Sequence, residues 1–375
     1  MNKEKDISTE KLMYQIALTL IPKVGDVLSK NLISYCGGVE EIFKTPMKKL
    51  EKIPGIGPAI AKSIAEFDDW KTPEKEIEFI RKNKIKTLFF LDENYPQRLK
   101  NNSSAPILLF YKGEADLNLQ RMIAVVGTRA ATDYGKEITE KLIEELSPYQ
   151  PTIISGLAYG IDIYAHKSAL KNNLKTIGVL GHGLNTIYPK THRSTAVKMI
   201  EQGGLLTEFS SQSDFDKENF PKRNRIVAGM CDCIIVVESA VKGGALITAE
   251  LGNMYNKDVF AFPGRSGDKF SEGCNYFIKQ NKAMLVESAE DIAMNMSWET
   301  KSSNENKVMQ KNLFLDLDEN EIKIVELLKE NKNELPIDEI TFQSNMNSSS
   351  LAATLLNLEF KGVIKGLPGK VFKLL

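Results

Sequence analysis

The sequence lacks any apolar run long enough to cross a membrane. A spanning helix needs about 20 mostly apolar residues, and charged or polar residues interrupt every apolar segment of this 375-residue chain before that length. The first ten residues are charged and polar, and no hydrophobic stretch before a small-residue cleavage site marks a secretion signal. These absences predict a cytoplasmic protein.

The chain has no excess of charge of either sign. Lys and Arg together number 49, and so do Asp and Glu. No field of the whole molecule can therefore attract nucleic acid or anionic lipid, and a polyanion site must be a local cluster. One such cluster contains Lys222, Arg223 and Arg225, which precede the apolar run 233–237.

Cysteine and histidine are scarce, with four and three residues. Cys36, Cys231, Cys233 and Cys274 include no CxxC pair, and the C-D-C sequence on a strand would place its two thiols on one face. We therefore expect reduced thiols in a core, without a disulfide or structural metal. The histidines have no metal-ligand spacing, no serine lies in a GxSxG elbow, and no cofactor is predicted.

The first 75 residues are predicted to form a helical domain with two related phrases. These are LIPKVGDVLSKNLI (20–33) and KIPGIGPAIAKSI (52–64). In each, a glycine permits a tight turn and leaves backbone N–H groups at the next helix N-terminus, where a phosphate can bind. The second phrase resembles the helix-hairpin-helix motif of DNA-binding proteins, and the first is a degenerate copy. A helical hairpin that only packs in the fold is an equal alternative to DNA contact. The cations near these phrases are Lys23, Lys52 and Lys62.

Short apolar strands alternate with helices through most of residues 76–298. The candidate strands are MIAVVG, PTIISG, KTIGVLG, GLLTEF, CIIVVES, DVFAFPG and AMLVES. This alternation predicts an α/β fold, a Rossmann-like doubly wound parallel sheet with helices on both faces, entered through a small αβ extension over 76–115. Residues 299–315 are polar and aperiodic, as in a linker. Residues 316–375 predict three helices and a hairpin, the pattern of a winged helix.

Glycine-rich turns follow several of the predicted strands. In an open α/β sheet, ligands bind outside the carboxyl ends of the strands, where such turns present helix N-termini. Together with residues 222–225, these turns predict a site for an anion with several phosphates. The alternative is that Arg223 and Arg225 form ordinary ion pairs with Glu218 or Glu238. The first turn, GTRAATDYG, lacks the close G-x-G-x-x-G of a dinucleotide site, and no GxxxxGK[ST] is present.

The ordered motifs of this region resemble the DprA/Smf family, the DNA-processing proteins of bacterial natural transformation. They are VVGTRAATDYG, ISGLAYGIDIYAHKSAL, TIGVLGHGLNTIYP, FPKRNRIVAG, ESAVKGGALITAELG and VFAFPG…GCNYFI. The resemblance implies a non-enzymatic homodimer that binds incoming single-stranded DNA, protects it and loads the RecA recombinase. The DNA-binding residues that it implies are Gly127, Thr128, Arg129, Ser155, Gly156, Gly160, Gly181, Lys222, Arg223, Asn224, Arg225, Gly243, Gly244 and Thr248.

Two features depart from that reading. The predicted recognition helix, NSSSLAATLLNLEF, contains no Lys or Arg, and residues 316–375 hold ten acids against seven lysines. We therefore expect the winged helix to contact protein or to act as a weak accessory module.

The segment around Arg223, Asp232 and Glu250 also resembles a lysine-decarboxylase-like Rossmann family that hydrolyses nucleotide monophosphates. Its Pro and Gly-Thr pair are missing here, and this hydrolase is the alternative function.

Overall fold

The computed structural model describes residues 2–298, 317–331, 333–344, 346–367 and 370–374. The chain divides into two compact units, residues 1–298 and 299–375. The predicted linker, residues 299–315, lies outside the described residues.

A nine-stranded sheet forms the centre of the first unit. Its strands are β1 Lys86–Phe89, β2 Leu108–Gly113, β3 Met122–Val126, β4 Thr152–Ser155, β5 Thr176–Val179, β6 Gly204–Thr207, β7 Cys233–Val236, β8 Asp258–Ala261 and β9 Met284–Leu285. They lie in the order β1-β2-β6-β5-β4-β3-β7-β8-β9. Strands β3 to β9 are parallel to their neighbours, and β1 and β2 add an antiparallel edge. The predicted Rossmann-like sheet is confirmed.

The strand order reverses beside β3. The chain adds β4, β5 and β6 on one side of β3 and then returns to place β7 on its other side, where Ile123 pairs with Cys233. Neighbouring loops thus leave the carboxyl ends of β3 and β7 in opposite directions, which opens a crevice. We call this place the switch point.

Helices cover both faces of the sheet. In the first unit they are α1 Asn2–Leu20, α2 Asp26–Cys36, α3 Val39–Lys44, α4 Met47–Leu50, α5 Pro58–Ala65, α6 Lys71–Asn83, α7 Gln97–Lys100, α8 Asp133–Leu146, α9 Ile161–Lys171, α10 Arg193–Gln202, α11 Asn219–Met230, α12 Gly244–Met254, α13 Glu272–Lys279 and α14 Ala289–Asn295. Met122 and Ala124 of β3 lie in one apolar core, and Ile123 and Val125 lie in the other. Both faces are buried, so the strand is apolar at every position.

The cysteine pair is placed differently from the prediction. Cys231 follows α11 and packs in the core with Ala124, whereas Cys233 begins β7 and packs in the opposite core with Ile123. The expected shared face was wrong because only Cys233 belongs to the strand. Burial raises the pKa of both thiols, to about 12 for Cys231.

The N-terminal helices are joined firmly to the αβ extension. Ile107, Leu108 and Phe110 share an apolar core with α1 to α6. Glu76 of α6 is buried, and its carboxylate accepts hydrogen bonds from the hydroxyl of Ser210 at 2.7 Å and the amide of Ser211 at 3.1 Å. Residues 2–298 are accordingly one compact unit.

The second unit has the architecture of a winged helix. Its elements are α15 Glu319–Glu330, β10 Glu334–Pro336, α16 Ile337–Ser344, α17 Ser348–Phe360, β11 Ile364–Leu367 and β12 Val371–Leu374. The strands form an antiparallel sheet in the order β10-β12-β11 around a small core that includes Ile324 and Leu355. The predicted helices and hairpin are present, and β10 is an additional strand. Among the described residues of the whole chain, no helix is long and apolar enough to span a bilayer.

Candidate functional site

A cavity of about 230 Å³ lies at the switch point. Its walls are the loops that follow β3, β4 and β7, the N-terminal parts of α9 and α12, and the middle of α11. The lining residues are Val126, Gly127, Thr128, Arg129, Gly156, Ala158, Asp162, Arg223, Asn224, Val227, Ser239, Ala240, Gly243, Gly244, Ala245 and Thr248. We call it the switch-point cavity.

Most of the predicted site residues line this cavity. The structure brings together Gly127, Thr128, Arg129, Gly156, Arg223, Asn224, Gly243, Gly244 and Thr248. They come from distant parts of the sequence and meet because the parallel strands end at one edge of the sheet.

Three other predicted residues support the walls from behind. The buried hydroxyl of Ser155 donates to the carbonyl of Val125 at 2.6 Å. Gly160 has φ +74, and a Cβ there would lie 2.0 Å from the Thr128 carbonyl oxygen. A Cβ at Gly181 would lie 2.9 Å from the ring of Phe220. Each position shapes the site through packing and does not line the cavity.

Arg225 lies outside the cavity. Its Nη2 pairs with Asp26 at 3.0 Å and with Glu208, so it joins α11 to the N-terminal helix α2. Residues two apart on a helix do not share a face, which is why Arg225 diverges from Arg223. Ion pairing was the sequence alternative for Arg225, but the partners differ from those expected. Lys222 is exposed and also does not line the cavity.

Arg223 is the buried cation of the cavity. Only 3% of the residue is exposed, and its Nη1 donates to the carbonyls of Gly156, at 2.6 Å, and Val179. Burial lowers the pKa of Arg223 to about 10, so the guanidinium keeps its charge at neutral pH. Arg223 therefore both fastens α11 to the ends of β4 and β5 and supplies positive charge.

Asp162 is a lining residue that the sequence analysis missed. Its Oδ2 accepts hydrogen bonds from the amides of Gly156 at 3.1 Å and Ala158 at 3.3 Å. Burial raises the pKa of this carboxyl, and the charge of Arg223 opposes the rise. An acid in the first turn of a helix is common, so its position after Gly160 gave no signal.

Arg129 is the exposed cation of the cavity. Its Cζ lies 5.8 Å from the centroid of the Phe220 ring. The preceding amide, of Thr128, donates to the Glu238 carbonyl at 2.7 Å. The Glu238 carboxylate accepts from the amide of Thr132 at 3.0 Å and from its hydroxyl, so this acid is occupied at the start of α8.

The electrostatics of the cavity favour an anion. Helix α12 begins at Gly244 with Gly243 as its cap, and both glycines and Ala245 line the wall, where the amides of the first helical turn and the helix dipole attract negative charge. Arg129 and Arg223 carry like charges, and after burial the charge of Arg129 further lowers the pKa of Arg223. Within the described residues no group of acids, cysteines and histidines is arranged to hold a metal ion.

The acids of the alternative hydrolase motif are engaged in ion pairs away from the cavity. Asp232 pairs with Arg98 at 2.6 Å and also accepts from the amide of Met122. Glu250 pairs with Lys282 at 3.0 Å. Neither carboxylate lines the switch-point cavity.

The two helix-hairpin-helix-like phrases have different surroundings. At the start of α2, Asp26 accepts from the amide of Ile107 at 3.0 Å and pairs with Arg225, so this helix end is used for packing. The second phrase keeps its turn at Gly55, φ +85, before α5. Lys52 beside it is exposed, and DNA contact there stays a prediction.

Three family models match the chain. One, described as DNA recombination-mediator protein A, matches residues 86–297. A helix-hairpin-helix motif matches 15–75, and a DprA winged helix domain matches 315–370.

Curated proteins and solved structures agree with these matches. Protein Smf of Escherichia coli is 37% identical over 286 residues, 75% of either chain, and the DNA processing protein DprA of Streptococcus pneumoniae is 41% identical over 56% of this chain and 73% of its own. The X-ray structure of S. pneumoniae DprA matches with a TM-score of 0.66 at 34% identity, over 75% of this chain and 97% of that one. A structure that describes the single-stranded DNA binding mode of Helicobacter pylori DNA processing protein A matches with a TM-score of 0.53 at 28% identity, over 58% and 97%.

Proposed function

This chain belongs to the DprA/Smf family, and on that premise we propose that it binds single-stranded DNA at the switch-point cavity during the processing of incoming DNA. The observation that supports this most is that two arginines, Arg129 and Arg223, and the N-terminus of α12 line the same small cavity. The single lining carboxylate, Asp162, is directed to backbone amides. A phosphate group would relieve the repulsion between the arginines and accept hydrogen bonds from the amides at the start of α12.

The size of the cavity supports a single strand as the ligand. A volume of about 230 Å³ admits a phosphate with part of its nucleotide but not the width of a helix. A flexible strand can place one phosphate after another against the recessed Arg223, whereas a duplex is too rigid to bend its backbone into the crevice. We therefore propose that the protein prefers unpaired DNA.

The wider role follows the family. We propose that the protein protects incoming strands and loads the RecA recombinase on them in natural transformation, in the cytoplasm and without catalysis of its own. The hydrolase alternative loses its support because Asp232 and Glu250 are engaged elsewhere. RecA filament formation on oligonucleotides, measured with the protein and with its Arg129→Ala variant, tests the loading step.

A homodimer is part of the same proposal. Strand β9 is the last of the sheet, and its Met284 and Leu285 are about half exposed. An apolar edge strand offers unpaired backbone groups to a second copy, as well as apolar area. The edge of β9 therefore supports association of two chains.

Binding titrations with matched oligonucleotides test the proposed function. We expect the protein to retain a single-stranded oligonucleotide on a filter at concentrations where it does not retain the corresponding duplex. The affinity should fall with salt with a log–log slope of about −0.7 for each phosphate contact, because neutralised phosphates release counterions. Equal affinity for the duplex, or an affinity independent of salt, would contradict the proposal.

A further inference from the structure

An aromatic cluster of Tyr188, Phe215, Phe220 and His182 lies beside the switch-point cavity. The centroid of Phe215 is 5.0 Å from that of Tyr188 and 5.6 Å from that of Phe220, and Tyr188 and Phe220 are 5.8 Å apart. Tyr188 is 48% exposed and Phe215 is 50% exposed. Two large rings thus expose about half their surface to water although other aromatic rings pack against them.

The cluster is continuous with the cavity through Arg129. The guanidinium of Arg129 lines the cavity and lies 5.8 Å from the Phe220 ring. Phe220 is in the first turn of α11, one turn before Asn224, which also lines the cavity. A ligand whose phosphate contacts Arg129 therefore has aromatic surface within reach of its next group.

The backbone that carries the exposed ring of Tyr188 is held by a buried histidine. The buried His182 accepts the amide proton of Tyr188 at Nε2, at 3.2 Å, and its Nδ1 lies 2.9 Å from the carbonyl of Gly183. Both contacts are satisfied by the neutral ring that donates from Nδ1, and burial lowers the pKa of His182. These contacts hold the backbone at Tyr188 before any ligand binds.

We propose that Tyr188 and Phe215 form a stacking surface for the unpaired bases of the strand whose phosphates occupy the cavity. This inference rests on the proposed function and gives its chemical basis for strand selection. Rings stack on the faces of bases, and those faces are covered in a duplex. Stacking also reads no base edge, so we expect little sequence preference.

Oligonucleotides with and without bases test the inference on the unmodified protein. A thymidine oligonucleotide and an abasic oligonucleotide of the same length present the same phosphates. We expect the thymidine strand to bind more tightly, by about 5- to 150-fold for each stacked base. A strand that contains 2-aminopurine should lose fluorescence on binding, because stacking quenches that base.

Leucine variants locate the surface. Tyr188→Leu and Phe215→Leu keep apolar bulk but remove the ring, and each should weaken thymidine binding by about 5-fold or more while leaving abasic binding unchanged. Tyr188→Phe keeps the ring and should bind as the parent does. Tyr35→Leu, at an exposed ring of α2 with no ring contact to the cluster among the described residues, is the matched control.

Two results would overturn the inference, and they are distinguishable. If the parent binds thymidine and abasic strands equally and the leucine variants change nothing, the cavity alone binds DNA and stacking is refuted. If the parent binds neither strand, the proposed function itself fails and the stacking surface falls with it. Thermal melts of each variant show that a lost affinity does not come from lost folding.

Discussion

At the level of single residues, Arg129 and Arg223 differ in what their removal should do. Arg129 is exposed, and its described contact is with the face of Phe220. We expect Arg129→Ala to weaken single-stranded DNA binding by about 1–3 kcal/mol, since contacts of arginine with phosphate have that magnitude. Its melting temperature should stay near that of the parent, because loop cations add little to the core. Filter binding and calorimetry on one preparation measure both.

Arg223→Ala is the contrasting variant. Its loss leaves the part-buried carbonyl of Gly156 and the buried carbonyl of Val179 without the guanidinium donor, and an unsatisfied buried group costs about 1–3 kcal/mol. We expect a clear fall in the free energy of unfolding as well as lost binding. The hydrogen bonds of its buried guanidinium distinguish Arg223 from an exposed loop cation such as Arg129. A parent-like melting temperature for Arg223→Ala would refute the structural role.

His166 should make stability depend on pH. It is fully buried, its Nδ1 lies 2.7 Å from the Thr176 hydroxyl, and burial lowers its pKa from 6.5 to about 3. Thr176 donates its own proton to the Ile153 carbonyl, so Nδ1–H is the donor to Thr176 and Nε2 has no partner among the described residues.

The sign follows from where the proton binds. Below pH 6.5 the unfolded chain protonates this histidine and the folded chain does not, so the stability contributed by neutral His166 is lost as the pH falls from about 6.5 towards 3. We expect up to about 1.4 kcal/mol per pH unit in that window. His166→Asn retains a donor near Nδ1 and cannot titrate, so the pH dependence of its urea unfolding should be smaller. Identical pH profiles for the two proteins would contradict the assignment. Burial raises the pKa of Glu208 to about 7, so the stability that this residue contributes is lost as the pH rises, the opposite of the effect of His166. Glu208 is present in both the parent and the variant and does not affect their comparison.

At the level of elements, periodicity located the strands but not the faces of helix α11. Strands β3 to β7 are buried at every position, and the continuous apolar run that results is visible directly in the sequence, whereas β9 at the sheet edge is exposed. On α11, Arg223 and Arg225 look like one cluster in the sequence, yet they point to different neighbours. The partners of Arg225, Asp26 and Glu208, are remote in sequence, and no local pattern can reveal them.

The winged-helix unit should contribute little to DNA affinity. Helix α17 contains no Lys or Arg, and the acids of residues 316–375 outnumber the lysines. A helix without cations has nothing with which to neutralise phosphates in a groove. Deletion of residues 301–375 should therefore leave the single-strand affinity within tenfold of the parent in the same titration. A tenfold or larger loss would show that this unit contacts DNA directly.

At the level of the whole molecule, the two cavity arginines act over a short range. The chain has no net charge, so long-range attraction of DNA is weak and recognition depends on contacts at the site. The sheet and its glycine turns, which place the site, were predicted from the sequence. The exact set of residues that line the cavity was not predicted, because the position of Asp162 and the orientation of Arg223 depend on packing between elements.

The edge of β9 should determine the oligomeric state. Leu285 is 46% exposed on the last strand of the sheet, and we expect Leu285→Lys to convert a dimer to a monomer by placing a charge in the proposed contact. Light scattering during gel filtration measures the mass. Val197→Lys, at a similarly exposed position on α10, should remain dimeric. A monomeric parent, or a dimeric Leu285→Lys variant, would count against this surface.

Gly160 has a consequence for the time course of capture. Its backbone lies so close to the Thr128 carbonyl that no side chain fits between them, and the Ile161 amide donates to the same carbonyl at 3.2 Å. The loop after β3 and the start of α9 are therefore a single rigid piece before any strand arrives. The entropy of ordering them is lost when the chain folds, not when the ligand binds. No slow conformational step then follows the collision of the strand with the site. We expect the observed association rate to rise in proportion to strand concentration without a plateau.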